Sequence, residues 1–85
     1  MPTLRGGLVS KVEKPIGDID GVNVVFETSR PFIPGTLMVF HNGLALTPGP
    51  TDDFVEDSST QFTMTVAPSN AGVYTDKLLV SYQIA

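Results

Sequence analysis

The segment LMVFHNGLAL, residues 37–46, decides the fold because two apolar runs flank an Asn-Gly pair. A type I′ turn needs φ > 0 at both central residues, and Asn-Gly is the pair that meets this need best. We therefore predict a β-hairpin with Asn42 and Gly43 at its turn. The turn fixes the register of the two strands. The predicted pairs are His41 with Leu44, Phe40 with Ala45, Val39 with Leu46, and Met38 with Thr47.

Both faces of this hairpin are mostly apolar, whereas a hairpin with one solvated side alternates apolar and polar residues. We therefore expect one face to pack on the core and the other to be covered by a second layer. That layer is the opposite sheet wrapping round, the N-terminal arm through Leu4, Leu8 and Val9, or a partner subunit. Met38 and Phe40 are the candidate interface pair. One face carries Leu37, Val39, His41, Leu44 and Leu46, and the other carries Met38, Phe40, Ala45 and Thr47.

The rest of the chain predicts short strands separated by turns, with no helical pattern of useful length. Residues 1–14 are interpreted as an N-terminal arm and residues 15–85 as a single domain. Strands at this spacing are typical of an all-β fold, and we predict a small antiparallel β-sandwich of about six to seven strands. Besides the hairpin, the predicted strands are 8–12, which lies in the arm, 22–28, 53–56, 61–66 and 78–84.

The composition predicts a folded chain that gains stability from self-association. Hydrophobic residues make up 41% of the 85 residues and charged residues only 16%, which excludes a disordered chain. A domain of this size buries a small core, and such domains often rely on disulfides, metals or oligomerisation. The chain has no Cys, so disulfides are excluded. We expect a homo-oligomer and no cofactor.

The charge distribution is asymmetric. The net charge of −4 argues against a nucleic-acid partner, which would require clustered Lys and Arg. Residues 1–14 carry +2 and the remainder carries −6. The arm either docks onto an acidic neighbour or is simply solvated.

Neither an export signal nor a membrane-spanning segment is predicted. Charged residues interrupt the first fifteen positions, and the charge-free segment 31–51 contains four Pro and three Gly. We therefore expect no membrane partner and synthesis in a reducing cytoplasm.

The polar residues give little support for catalysis. His41 is the single His, so no zinc site of the Cys/His type can form, and no Ser lies in a nucleophile-elbow pattern. We predict that the chain is not an enzyme and that His41 lies at an interface.

Two acidic clusters also lack the pattern of a metal site. The segment 18–23 departs from a calcium loop and favours an Asx turn. The acids between positions 52 and 57 would point to opposite faces of a strand, which favours a solvated loop over a shared site.

The order of these motifs resembles a β-sandwich module of tailed-bacteriophage virions. The resemblance covers residues 15–85 and implies a non-enzymatic structural protein. Two features depart from the family pattern: His41 replaces an apolar residue, and residues 73–77 lengthen a loop in which Tyr74 is a further contact candidate. The motifs are Gly17 to Asn23 with Phe26, Pro34 to Phe40, Asn42-Gly43, Asp53-Phe54, Phe62, Ala67-Pro68, Gly72 and Tyr82.

Within that family, the module occurs in head-decoration (cement) proteins, in head or tail fibres, and in baseplate proteins. A chain that starts at Met1 and ends with its last strand fits a decoration protein better than a fibre. The resemblance therefore implies a capsid decoration protein that binds copies of itself and a major capsid or other virion protein. The alternatives are a fibre or baseplate module, or a carbohydrate-binding or receptor-binding sandwich.

Overall fold

The computed structural model describes residues 9–72 and 74–85, and these form an all-β fold without a helix. Seven strands make two antiparallel sheets, as the strand pattern predicts. One sheet has the order β1-β7-β3-β4 and the other β2-β6-β5. The strands are β1 (Val9–Glu13), β2 (Val25–Glu27), β3 (Met38–His41), β4 (Leu44–Ala45), β5 (Phe54–Glu56), β6 (Gln61–Met64) and β7 (Leu78–Ile84).

The hairpin forms in the predicted register. Phe40 pairs with Ala45 and His41 with Leu44. Asn42 has φ = 53° and Gly43 has φ = 87°, which is the left-handed backbone that a type I′ turn requires. The turn chemistry thus determines the local structure, as expected.

Two predicted strands are shorter than their alternation suggests. β2 begins only at Val25 because the Asp20 carboxylate accepts hydrogen bonds from the amides of Val22 and Asn23, at 2.9 and 2.8 Å, and holds that segment in a turn. β6 ends at Met64, and Val66, predicted to point inward, is 69% exposed.

Aromatic rings fill the space between the two sheets. Phe62 is fully buried and packs against Phe26 and Phe54, with ring centroids 5.9 and 6.1 Å apart. Phe32 meets Tyr82 edge to face at 6.1 Å. The buried core consists of Phe26, Phe32, Leu37, Val39, Phe54, Phe62, Met64, Leu78, Val80 and Tyr82.

Part of the segment interpreted as an arm belongs to the four-stranded sheet. Val9–Glu13 forms β1 and pairs with β7, whereas Leu4 and Leu8 lie outside the described residues. Val9 is opposite Ile84 and Val12 is opposite Ser81. Because side chains alternate between faces, Val9 lies on the core side of the sheet and not over Met38.

Candidate interaction surface

The surface of the four-stranded sheet that points away from the core is apolar, and we call it the outer face. Val39 and Val80 point into the core with no exposure, so their neighbours in sequence point outward. Val12 is 61% exposed, Met38 51% and Leu79 41%. The outer face consists of Val12, Met38, Phe40, Ala45 and Leu79, with Ser81 among them.

Strand pairing arranges these side chains in two rows across the sheet. Val12, Ser81 and Met38 form one row on β1, β7 and β3. Leu79, Phe40 and Ala45 form the next row on β7, β3 and β4. The two residues singled out from the sequence, Met38 and Phe40, therefore join a larger surface.

A shallow depression of about 380 Å³ continues the outer face towards the hairpin turn. The apolar residues Phe40, Leu78 and Leu79 contribute to its lining. Lys14 and Lys77 also line it, and both are exposed. An apolar surface bordered by two ammonium groups suits a partner that presents apolar side chains next to carboxylates.

His41 lies at the end of β3 and anchors a loop. Its Nε2 lies 2.9 Å from Oδ2 of Asp76, and the side chains are 27% and 26% exposed. The Ser69 amide donates to the same oxygen at 2.9 Å, and the Asn42 amide group donates to Oδ1 at 3.1 Å. These donors, led by the Ser69 amide, lower the pKa of Asp76 to about 2.

The hairpin turn is thereby fixed to the loop that precedes β7. The backbone amide of Lys77 donates to the side-chain oxygen of Asn42 at 2.8 Å. The backbone amide of Asn42 donates to the Lys77 carbonyl at 2.9 Å. Tyr74 in the same loop is 85% exposed, so it is available for contact. Of the four predicted interface residues, Met38 and Phe40 share the outer face, while His41 and Tyr74 belong to this end of the molecule.

β1 is held in place by a carboxylate that reaches into the sandwich. The Tyr82 hydroxyl donates to Glu13 Oε2 at 2.6 Å, the Ser29 hydroxyl to Oε1 at 2.6 Å, and the Ser29 amide to Oε2 at 2.9 Å. Burial acts to raise the pKa of Glu13, but these hydrogen bonds outweigh it and the pKa is lowered. Burial, together with the bond to Glu13, raises the pKa of the Tyr82 hydroxyl.

Acidic residues of both clusters accept hydrogen bonds from backbone amides. Asp20 makes the Asx turn expected for segment 18–23. Asp53 accepts from the Thr47 amide at 2.8 Å, and Glu56 accepts from the Gly35 amide at 3.0 Å. Within residues 9–72 and 74–85, no group of three or more His, Cys, Asp or Glu is placed to hold a metal ion.

Sequence reasoning missed two residues of the outer face and one residue of the loop that His41 anchors. Val12 and Leu79 become visible only when β1 and β3 are known to flank β7, although the alternation in residues 78–84 already marks Leu79 as outward. The contact between Asp76 and His41 could not be predicted, because the two residues are 35 positions apart in the chain. None of these pairings has a local sequence signal.

Comparisons with known proteins add no identification. No family model matches the chain, and neither a curated protein nor a solved structure resembles it detectably. In the part of the chain that the structure describes, no helix has the length and apolarity needed to span a membrane.

Proposed function

We propose that this chain is a non-enzymatic structural protein of a tailed-phage virion, and that it decorates the head by docking its outer face onto the shell. The observation that carries the proposal is the apolar outer face, which remains exposed in the folded chain. The motif order of residues 15–85 supplies the phage context by resemblance.

The mechanism is physical. A decoration protein adds contacts between neighbouring shell subunits, and the free energy of these contacts raises the resistance of the shell to disruption. The exposed side chains of Met38 and Leu79 would supply apolar area, while Lys14 and Lys77 would orient the chain on an acidic shell surface.

Co-sedimentation with purified heads that lack the chain tests this proposal. We expect saturable binding, together with a higher disruption temperature of the decorated heads. The double variant Met38→Ser, Leu79→Ser removes apolar area from the outer face and should bind at least about tenfold more weakly, since each buried side chain contributes on the order of 1.5–3 kcal/mol.

The matched control is the double variant Val22→Ser, Val66→Ser. Both residues are exposed, at 80% and 69%, but neither lies on the outer face. This control should bind as the parent chain does. Equal binding of both double variants, or no binding of the parent chain to heads, contradicts the proposal. If electron microscopy places the labelled chain on the tail, the fibre or baseplate alternative replaces the head-decoration proposal.

A further inference from the structure

The free edge of β1 is a second surface that the head-decoration proposal does not use. β1 pairs with β7 on one side, and no other strand of the described chain pairs with its far side. Ser10 and Val12 are exposed there. An open edge with unpaired amide and carbonyl groups is a template for another strand.

The hydrogen-bond pattern of β7 shows which groups of β1 face outward. The Gln83 amide donates to Thr36 Oγ1 at 3.2 Å, and its carbonyl accepts from the Ile33 amide at 2.9 Å, so both groups point away from β1. Ser10, the partner of Gln83, is then in a pair without mutual bonds. By alternation, the amides and carbonyls of Ser10 and Val12 point to the free edge.

We propose that two copies of this chain pair antiparallel through β1, about a two-fold axis at Val12. In this register, Val12 of each copy exchanges two backbone hydrogen bonds with Val12 of the other. Lys11 of each copy then lies opposite Glu13 of the other, in a pair without mutual backbone bonds, which is the type that brings side chains closest. The contact is isologous and closes after two copies.

Charge selects this register over its neighbours. An axis at Lys11 would place two ammonium groups directly opposite each other, and an axis at Glu13 would do the same with two carboxylates. Of these three axes, only the one at Val12 places Lys11 of each copy opposite Glu13 of the other. The segment Lys11-Val12-Glu13 is then complementary in charge to a second copy of itself. The donors from Ser29 and Tyr82 favour the ionised form of Glu13. The ammonium group of Lys11 in the other copy is therefore attracted to this carboxylate.

The pairing would join the two four-stranded sheets into one sheet of eight strands. Val12 points to the outer face, so the outer faces of both copies would meet at the axis. The resulting apolar surface is twice as large as that of one copy. The dimer does not require binding to a shell, so the dimer proposal is tested independently of the head-decoration proposal.

Cysteine cross-linking tests the register directly, since the chain has no Cys of its own. In Val12→Cys, the two introduced thiols lie opposite each other, at a Cα separation of about 5.5 Å that a disulfide can span. We expect rapid covalent dimerisation under mild oxidation. Val9→Cys is the control, because Val9 is 58% exposed on the same strand but lies opposite Pro15 of the other copy. Equal cross-linking of both variants would overturn the register.

Sedimentation of the parent chain between about 10 µM and about 1 mM measures the association itself. Lys11→Glu places two carboxylates opposite each other and should raise the dimer Kd by about tenfold or more. Arg30→Glu makes the same charge change at an exposed residue outside β1 and the outer face, and it should leave the Kd unchanged. A parent chain that stays monomeric throughout, or a Kd insensitive to Lys11→Glu, refutes the pairing.

Amide exchange provides a readout that a folding defect would not mimic. The Val12 amide should become protected as the protein concentration rises, whereas the Lys11 amide, which faces β7, should be protected at every concentration. Protection of Val12 in a monomer would show that the edge is covered by the chain's own residues, and this would also overturn the proposal.

Discussion

Removal of one hydroxyl group, in Tyr82→Phe, measures how firmly β1 is held in the sandwich. Tyr82 is 1% exposed, and its hydroxyl donates to Glu13 at 2.6 Å. The variant keeps the ring and its edge-to-face contact with Phe32. It therefore isolates one hydrogen bond between the core and β1, the strand that carries the free edge.

The expected loss of stability follows from the partners that remain. A hydrogen bond to a charged group contributes about 1.5–3 kcal/mol. The Ser29 amide and hydroxyl still bond to Glu13 in the variant, so the carboxylate keeps two hydrogen bonds. The loss should therefore lie at the lower end of this range. We expect a loss of about 1.5 kcal/mol, which for a domain of this size lowers Tm by roughly 6–12 °C.

The effect should depend on pH with a defined sign. The pKa of Glu13 is lowered in the folded chain from its ordinary 4.5, so its contribution to stability is complete above pH 4.5. It is lost as the pH falls through the lowered folded value. The difference between Tyr82→Phe and the parent chain should therefore shrink towards that of a neutral hydrogen bond, about 0.5–1 kcal/mol, as the pH falls through that lowered value.

Urea unfolding at pH 7 and at a series of values below pH 4.5 checks both statements. Tyr74→Phe is the matched control, because it removes the same hydroxyl from a residue that is 85% exposed, and its stability should equal that of the parent chain. A loss below about 0.5 kcal/mol at pH 7, or a loss that stays constant as the pH falls, would show that the bond does not hold β1 as described.

Three further changes test other parts of the structure. Phe62→Ala should lower the free energy of unfolding by about 3–5 kcal/mol in chemical denaturation, since this fully buried ring contacts two other aromatic rings. Gly43→Val should lower it by about 1–3 kcal/mol, because a β-branched residue is strained at φ = 87° although its Cβ would meet no atom within 4 Å. In Asp76→Asn, the stability deficit relative to the parent chain should be full above pH 4 and should be lost as the pH falls through about 2, as measured by unfolding across that range.

The fold could be predicted where local chemistry determines it. Asn42-Gly43 determines the turn, and alternation places Val80 and Tyr82 inside. The extent of the strands could not be predicted in the same way. β2 is short because of the Asp20 carboxylate, and a side chain that bonds to its own backbone leaves the hydrophobic alternation unchanged.

The candidate surface could be predicted only in part. The two apolar faces of the hairpin already indicate that Met38 and Phe40 need a covering layer. Which residues surround them depends on β7 lying between β1 and β3, a pairing that joins distant parts of the chain. His41 shows the same limit, because its partner Asp76 is brought to it by the loop before β7 and not by sequence proximity.

The small size of the domain links the two proposed contacts. An 85-residue chain without disulfides gains limited stability from its own core, so contacts with other molecules add substantially to it. The edge of β1 offers backbone hydrogen bonds with a charge-defined register, and the outer face offers apolar area with little directional preference. Pairing at the edge would set the relative position of two outer faces, and a fixed pair of such faces can engage two neighbouring sites at once. The effective concentration of the second face then strengthens binding to a repetitive shell without any new contact.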